Sequence, residues 1–570
     1  MDLLLATTDG ILFPMRRSPW PRIRGRARKW SEALANDNLP VLPDGKPSLT
    51  AVLPAVEMEA VHSPQILTGA QIRMDATNPR NPDLEADSAK RTPESFLESS
   101  SARTRRPLSL EKVQRLHFIG IGGVGMSGIA QLCLSRGFVI SGSDMKGSKL
   151  TQKLAEMGAR ICCGHSAKNI QDAEVVIISS AIPPENEELK EAIARGLPIH
   201  RRAELLGWLM HGHTSVSVGG AHGKTTTTSM TSHLLQTGEL DPTLVVGGVV
   251  NSLGSNVRRG AGHFMVVEAD ESDGSFLLLP SSVVVVTNID DDHLETYGTM
   301  ENMEAAYLQF INAVGPEGLA ILCVDDPRVR RLLGQVRVPR LLYGLSESAN
   351  LRAVDLKYDG HQSSYRVLHD GQHIGTFTLS VPGQHNVLNS LAAVAVARHA
   401  GVSSEAIARG LSTFSGVKRR FQFIGEAGQI KIFDDYAHHP TEIKATLASA
   451  RLSRPRRLVA LFQPHRYSRT EMLASSFAQA FVDADVVMLL PVYSAGEKAR
   501  DGVSSGLIYQ RMVQDHRYVI QLSPRPTLES HVPLICSQLE PGDWFFTVGA
   551  GDVNQMGTMI LSHLEQGATS

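Results

Sequence analysis

A short apolar strand runs into a glycine turn and a Lys-Thr-rich helix start in Val216-Ser217-Val218-Gly219-Gly220-Ala221-His222-Gly223-Lys224-Thr225-Thr226. Glycines in such a turn let backbone N–H groups converge on an anion at the positive end of a helix dipole. Lys224 offers a point charge for β- and γ-phosphates, and Thr225 offers a hydroxyl to magnesium. The turn is a variant. The usual loop has glycine five residues before the Gly-Lys pair, where this chain has Val218, with Gly219 and Gly220 following it. A strand, a phosphate loop and a helix in succession specify an α/β domain with a nucleotide-triphosphate site.

At 570 residues the chain exceeds what one core fills, and about 100–200 residues per domain implies three or four. Apolar residues make up 42%, charged residues 20%, and the formal net charge is -2. Nucleic-acid binding normally shows as a basic excess, which is absent, and no apolar run reaches the roughly 18 residues of a membrane span. The five cysteines are odd in number and lack C-x-x-C spacing, so reduced thiols in a cytoplasmic protein are expected. Cys133 sits in an apolar helix pattern that predicts a buried, inert thiol.

Residues 1–106 are rich in Pro, Ser and Asn, carry an Arg-rich patch at residues 16–29, and show no sustained helix or strand period; the segment is expected to be a disordered extension. Order is expected from residue 107. A strand at residues 116–119 feeds Gly120-Ile121-Gly122-Gly123-Val124-Gly125-Met126, which fits G-x-G-x-x-G at a helix start. About twenty residues on, Ser143-Asp144 falls where a Rossmann unit places its ribose-binding acid. The pattern fits a dinucleotide oxidoreductase, and equally the pyrophosphate of another nucleotide such as a UDP-sugar. Further strands are predicted near residues 159–162 and 175–179, and helices near 150–157 and 186–195, with this domain closing near residues 207–213.

The central domain has continuous apolar strands at residues 264–267 and 283–286, as expected where both faces of a parallel sheet are covered. The first ends in Glu268-Ala269-Asp270-Glu271-Ser272-Asp273, the second in Thr287-Asn288-Ile289-Asp290-Asp291-Asp292-His293. Ligands of open α/β sheets bind at strand carboxyl ends, so both clusters belong beside the phosphate loop. Hard oxygen donors suit magnesium, which makes Glu268 the first metal ligand and His293 the second, directly or through water. Pro382-Gly383-Gln384-His385-Asn386 opens an Ala-rich helix reaching His399; its asparagines, including Asn389, fit either a turn with a cap or an adenine edge. A third α/β pattern follows Gly416, with strands at residues 430–433, 456–462 and 543–548. Arg466 and Arg469, three apart at a helix start, are spaced to grip a carboxylate or phosphate.

With these motifs in this order, residues 117–551 resemble the Mur ligase family, ATP-dependent amide-bond ligases of peptidoglycan precursor synthesis. The family usually has Thr where this chain has Ala221, and many relatives have fewer acids than Asp290-Asp291-Asp292 before the His. The resemblance implies three domains: a Rossmann-like UDP-sugar domain (107–212), a central ATPase domain with a mostly parallel sheet (213–416), and a Rossmann-like amino-acid domain (417–570). It sets the glycine loop against NAD. It is strongest to the branch that joins L-alanine to the lactyl carboxylate of UDP-N-acetylmuramate, the alternative being a recycling branch that joins a preformed tripeptide. Carried over position by position, Gly220, Ala221, His222, Gly223, Lys224, Thr225 and Thr226 hold ATP phosphates. His385, Asn386 and Asn389 lie near adenine, Arg420 reaches the phosphates, and Asp435 the ribose. Thr225, Glu268 and His293 serve magnesium. Gly120, Gly122, Gly123, Gly125, Met126, Ser143, Asp144 and Ser180 hold the UDP-sugar, and Tyr436, His438, Arg466 and Arg469 surround alanine. Lys224, Glu268, His293, Arg420 and His438 are the implied catalytic set, with His438 as a base, and a homodimer is compatible with the resemblance.

Overall fold

The computed structural model describes residues 108–568 apart from residues 316, 360–361, 515–517 and 526, and the backbone of two short strands, Leu4–Ala6 and Leu12–Pro14. Those two strands pair antiparallel. Otherwise the expectation of disorder over residues 1–106 lies outside the described residues.

The first ordered region is a five-stranded parallel sheet in the order Arg160–Cys163, Val139–Asp144, Arg115–Ile119, Val175–Ile178, Ile199–Arg201. Helices Val124–Ser135, Lys149–Glu156, Glu187–Ala194 and Arg202–Met210 connect or follow its strands. The strand Ile199–Arg201 and the helix Arg202–Met210 add to the predicted elements, and the helix runs into residues 207–213, where this domain is expected to close. Ile119 pairs with Ser143 and with Ile178, so the glycine loop, Asp144 and Ser180 all emerge at one carboxyl edge.

The second region holds a ten-stranded sheet in the order Ser255–Arg258, Thr243–Val250, Phe264–Glu268, Thr214–Gly219, Val283–Val286, Leu319–Cys323, Arg340–Gly344, Leu351–Asp359, Gln362–His369, Gln372–Leu379. The strands from Thr243–Val250 to Leu351–Asp359 run parallel in this order, and the antiparallel pairs lie at the two ends. The strand leading to the phosphate loop lies between Phe264–Glu268 and Val283–Val286; Glu268 pairs with Val218 and Val286 with Gly219. That register alone delivers both acidic clusters to the loop. The last two strands meet in a two-residue turn, Asp370-Gly371, both at positive φ, as a right-twisted hairpin requires.

The third region is a six-stranded sheet, Gln422–Ala427, Ile430–Asp435, Asp543–Val548, Arg457–Phe462, Val486–Leu489, Val519–Gln521, parallel except for its first pair. Asp435 and Phe462 both pair with Val548, so the segments after residues 435, 462 and 548 share one edge.

One apolar core joins the first two regions: Leu205 and Leu209 pack with Phe276, Leu279 and Val257. Asn256 donates from its Nδ2 to the Val124 carbonyl across the same junction at 2.9 Å. Cys133 is buried as its helix pattern predicts, and burial pushes its thiol up to about 12. All five cysteines are free. No helix among the described residues is long and apolar enough to cross a membrane.

Candidate functional site

The phosphate loop is braced from below by the neighbouring strand end. Thr287 and Asn288 donate from their side chains to the His222 carbonyl at 2.6 and 3.0 Å, and the His222 N–H donates to Asn288 Oδ1 at 2.8 Å. Gly223 has φ +83, and a Cβ there would collide with Asn389 Oδ1. The helix starting at Gln384 is therefore seated directly against the loop.

Lys224 Nζ donates to the Gly220 and Ala221 carbonyls at 2.7 and 3.1 Å and pairs with Glu271 Oε1 at 2.8 Å. Burial works against the ammonium, but Glu271 and Asp270 outweigh it and hold its pKa above the ordinary value. Burial raises Glu271, whose second oxygen is buried without a hydrogen-bond partner. Thr225 donates to Glu268 Oε1 at 3.0 Å, and Glu268 Oε2 accepts from the Gly247 N–H at 2.6 Å. A hydroxyl and a carboxylate in contact beside a phosphate loop are hard donors of the kind magnesium takes. His293 stands at positive φ, with its ring 3.6 Å from both Asp292 and Glu295.

Two cavities open on the loop. One, of about 390 Å³, is lined by His222, Gly223, Thr226, Asn288, Asp326 and Ala445, and gathers His385, Asn386, Asn389, Arg420 and Asp435. Burial and the Arg420 charge push His385 down to about 4, so its ring is neutral at pH 7. Burial pushes Asp435 up to about 6 despite Arg420. The other, of about 660 Å³, brings Ala221, Lys224, Thr225, Glu268 and His293 of the central region together with Arg420, Tyr436 and His438 of the third.

A polar seam joins those two regions. Burial disfavours charge on His222, yet Asp290 at 2.8 Å and Glu442 at 3.7 Å raise it to about 9. Thr441 donates to Asp290 Oδ2 at 2.7 Å, and the rings of His222 and His439 stack at a tilt with centroids 5.1 Å apart. Arg469 is buried on Asp292 at 2.7 Å, and Arg466 lies 3.9 Å from Glu295. The carboxylates that this arginine pair meets here are thus side chains of the central region, and neither arginine lines either cavity.

In the first region the Gly122 N–H donates to Asp144 Oδ2 at 2.8 Å, so Asp144 closes the glycine loop. Ser143 is fully buried, its hydroxyl donating to Glu188 at 2.7 Å, 3.0 Å from His165 Nδ1. Gly120, Gly122, Gly123, Gly125, Met126 and Ser180 line neither cavity, though Val124 borders the larger one. Arg202 lies against Gly125 and reaches Asp270 at 3.9 Å, linking this loop to the central acidic cluster.

Glu271, Asn288 and Asp290 belong to the strand-end clusters that the sequence sends to the loop, but their individual partners show only in the folded chain. Glu442 had one local signal: it falls three residues after His439 with Pro440 between, a helix start with an acid at N3.

The chain matches the Mur ligase middle domain at residues 218–397, the Mur ligase family catalytic domain at 115–214, and the Mur ligase glutamate ligase domain at 419–551. It is 48% identical over 457 residues to the UDP-N-acetylmuramate–L-alanine ligase of Geobacter sp. (strain M21), covering 80% of this chain and 98% of that one. The enzyme of the same name from Roseobacter denitrificans is 45% identical over 461 residues, covering 80% and 97%. A crystal structure of UDP-N-acetylmuramate-alanine ligase from Thermotoga maritima superposes with a TM-score of 0.67 at 27% identity, covering 80% of this chain and 99% of that one.

Proposed function

The chain belongs to the Mur ligase family, and from that premise we propose that it joins L-alanine to the lactyl carboxylate of UDP-N-acetylmuramate with hydrolysis of ATP to ADP and phosphate. The observation that carries this reading is the near-complete coverage of the alanine ligases at 44–48% identity. The larger cavity supports it, because it unites phosphate-loop groups with Tyr436 and His438. On this reading residues 107–212 hold the UDP-sugar, 213–416 hold ATP, and 417–570 bring the amino acid.

A carboxylate is a poor acyl donor. Attack of the lactyl carboxylate on the γ-phosphorus forms an acyl phosphate and releases ADP. Little covalent chemistry falls to the protein in that step, so positioning and charge stabilisation dominate. Lys224 would exchange its Glu271 contact for the transferring phosphoryl oxygens, and Arg420, lining both cavities, would face the same charge. Thr225 and Glu268 fit magnesium through their hard oxygens, and His293, which lines the same cavity, would join them through a ring nitrogen or a water. Bound there, magnesium would neutralise phosphate charge. His385, Asn386 and Asn389 would border adenine and Asp435 the ribose; Gly120, Gly122, Gly123, Gly125 and Met126 would take the diphosphate. Asp144 would act by holding that loop in shape. Arg466 and Arg469 would leave Glu295 and Asp292 to take the alanine carboxylate. A cytoplasmic location fits ATP use and five free thiols.

The test is phosphate release with ATP, magnesium and UDP-N-acetylmuramate, adding either L-alanine or the tripeptide L-alanyl-γ-D-glutamyl-diaminopimelate. Release that depends on L-alanine, with a product heavier by one alanyl residue, is expected. Release with the tripeptide alone would place the chain in the recycling branch, and a single light-scattering run under the same conditions would read the oligomeric state.

A further inference from the structure

Glu442 sits where the central and third regions meet. One of its oxygens, Oε1, accepts from Arg420 at 3.1 Å and lies 3.7 Å from His222 Nδ1 of the phosphate loop. The other, Oε2, accepts from the His438 N–H at 3.1 Å and lies 3.2 Å from His438 Nδ1. The side chain is only 9% exposed. Three things hold it: the N-terminal turn of helix Pro440–Leu452, the guanidinium and the two imidazoles. Burial alone would raise its pKa, but His438 and Arg420 hold the carboxyl well below the usual range.

His438 Nδ1 also lies 3.1 Å from the Tyr436 carbonyl oxygen. A carbonyl and an ionised carboxylate can only accept, so in the neutral ring the hydrogen belongs on Nδ1 and the lone pair on Nε2. Among the described residues Nε2 has no hydrogen-bond partner, and His438 lines the larger cavity with Lys224 and Glu268. This is the arrangement in which a base is oriented by a third group.

Resting on the ligase reading, we infer that Glu442 is the positioning residue for the second half-reaction. It fixes His438 with Nε2 free to take a proton from the alanine ammonium. The amine nitrogen then forms the C–N bond at the acyl carbon. The C–O bond to phosphate breaks with its electron pair going to the phosphate oxygen, the second nitrogen proton leaves with the phosphate as hydrogen phosphate, and the imidazolium gives the first proton to solvent.

The test separates acyl-phosphate formation from amine attack in the full-length enzyme. Hydroxylamine is unprotonated at neutral pH and needs no base, so hydroxamate formation in place of ligation reads the first step alone. In Glu442→Gln, ligation kcat is expected to fall about 100-fold, the size of a lost general base. Alanine KM and the hydroxamate rate should stay within about threefold, and a second substitution, His438→Ala, should add less than about twofold. A parallel fall in hydroxamate, or additive losses, overturns the assignment. Should the variant not fold, ¹⁵N-histidine spectra of the wild-type enzyme decide: a neutral His438 protonated on Nε2 overturns it, and one protonated on Nδ1 supports it. A wild-type enzyme that forms neither product overturns the ligase reading itself, whereas active wild type with unimpaired Glu442→Gln overturns this inference alone.

Discussion

The turn at residues 120–125 and the turn at residues 219–224 each follow a strand of a parallel sheet and each open a helix, Val124–Ser135 and Lys224–Thr237. At the first, Asp144 closes the loop through the Gly122 N–H, Asn256 donates to the Val124 carbonyl, and the first turn of the helix itself carries no charge. At the second, a lysine opens the helix, held by Glu271, and the following threonine touches Glu268. A loop that only holds a diphosphate can rely on neutral N–H groups and the helix dipole. A loop that stabilises a phosphoryl group in transfer needs a cation that can change partners and oxygens for a metal.

Lys224→Ala should test that division most severely. We expect ligation to fall about 1000-fold or more, as for loss of a principal phosphate-charge contact, with UDP-N-acetylmuramate affinity by calorimetry unchanged within about twofold. Equal losses in both would erase the distinction between the loops. Glu268→Gln removes the carboxylate charge to which Thr225 and Gly247 both donate, so kcat should fall about 100-fold and the half-saturating magnesium concentration should rise.

The converse is Gly122→Ala. A Cβ there would stand 2.8 Å from Asp144 Oδ2 and 3.2 Å from Thr151 Cγ2, so the carboxylate must move and open the loop. The KM for UDP-sugar should rise about tenfold with kcat and ATP KM nearly constant, about 1.4 kcal/mol of binding. An ATP KM that moved as much would show the loops to be coupled.

What lies under the first loop bears on stability and leaves turnover least affected. Glu188 is fully buried with His117 at 2.8 Å, Asn169 at 2.7 Å and Ser143 at 2.7 Å. Burial raises it, but these partners outweigh burial and hold it down to about 2. A depressed carboxyl stabilises the fold above its unfolded pKa of 4.5, and that contribution is lost as pH falls through about 2. Glu188→Gln should therefore cost about 1–3 kcal/mol near neutrality. In denaturant titrations the gap to wild type should close on acidification; a gap independent of pH would remove the charge from the explanation.

Much of the architecture was legible because it is written in local punctuation. The Ala-rich helix reaching His399 spans Gln384–His399, and the last strand spans Asp543–Val548. The strands from Leu351–Asp359 to Gln372–Leu379 lack the continuous apolar runs of the parallel strands and are marked only by a weaker alternating pattern and the Asp370-Gly371 turn. At the site, Lys224, Thr225 and Glu268 could be singled out from strand-end position, and the fold places them in one cavity. The partners that commit them could not. Lys224 and Glu271 are 47 residues apart and Arg469 and Asp292 are 177 apart, and no local pattern ties such pairs.

By itself, then, the sequence determined the family, the succession of strand, glycine turn and helix, and the side chains offered at each strand end, since these follow from spacing along the chain. Only the tertiary structure decided which carboxylate each cation faces and which side chains of the third region reach the phosphate loop. Those depend on sheet register and on how the third region meets the phosphate loop, and a buried charge takes whatever partner that packing brings within about 3 Å.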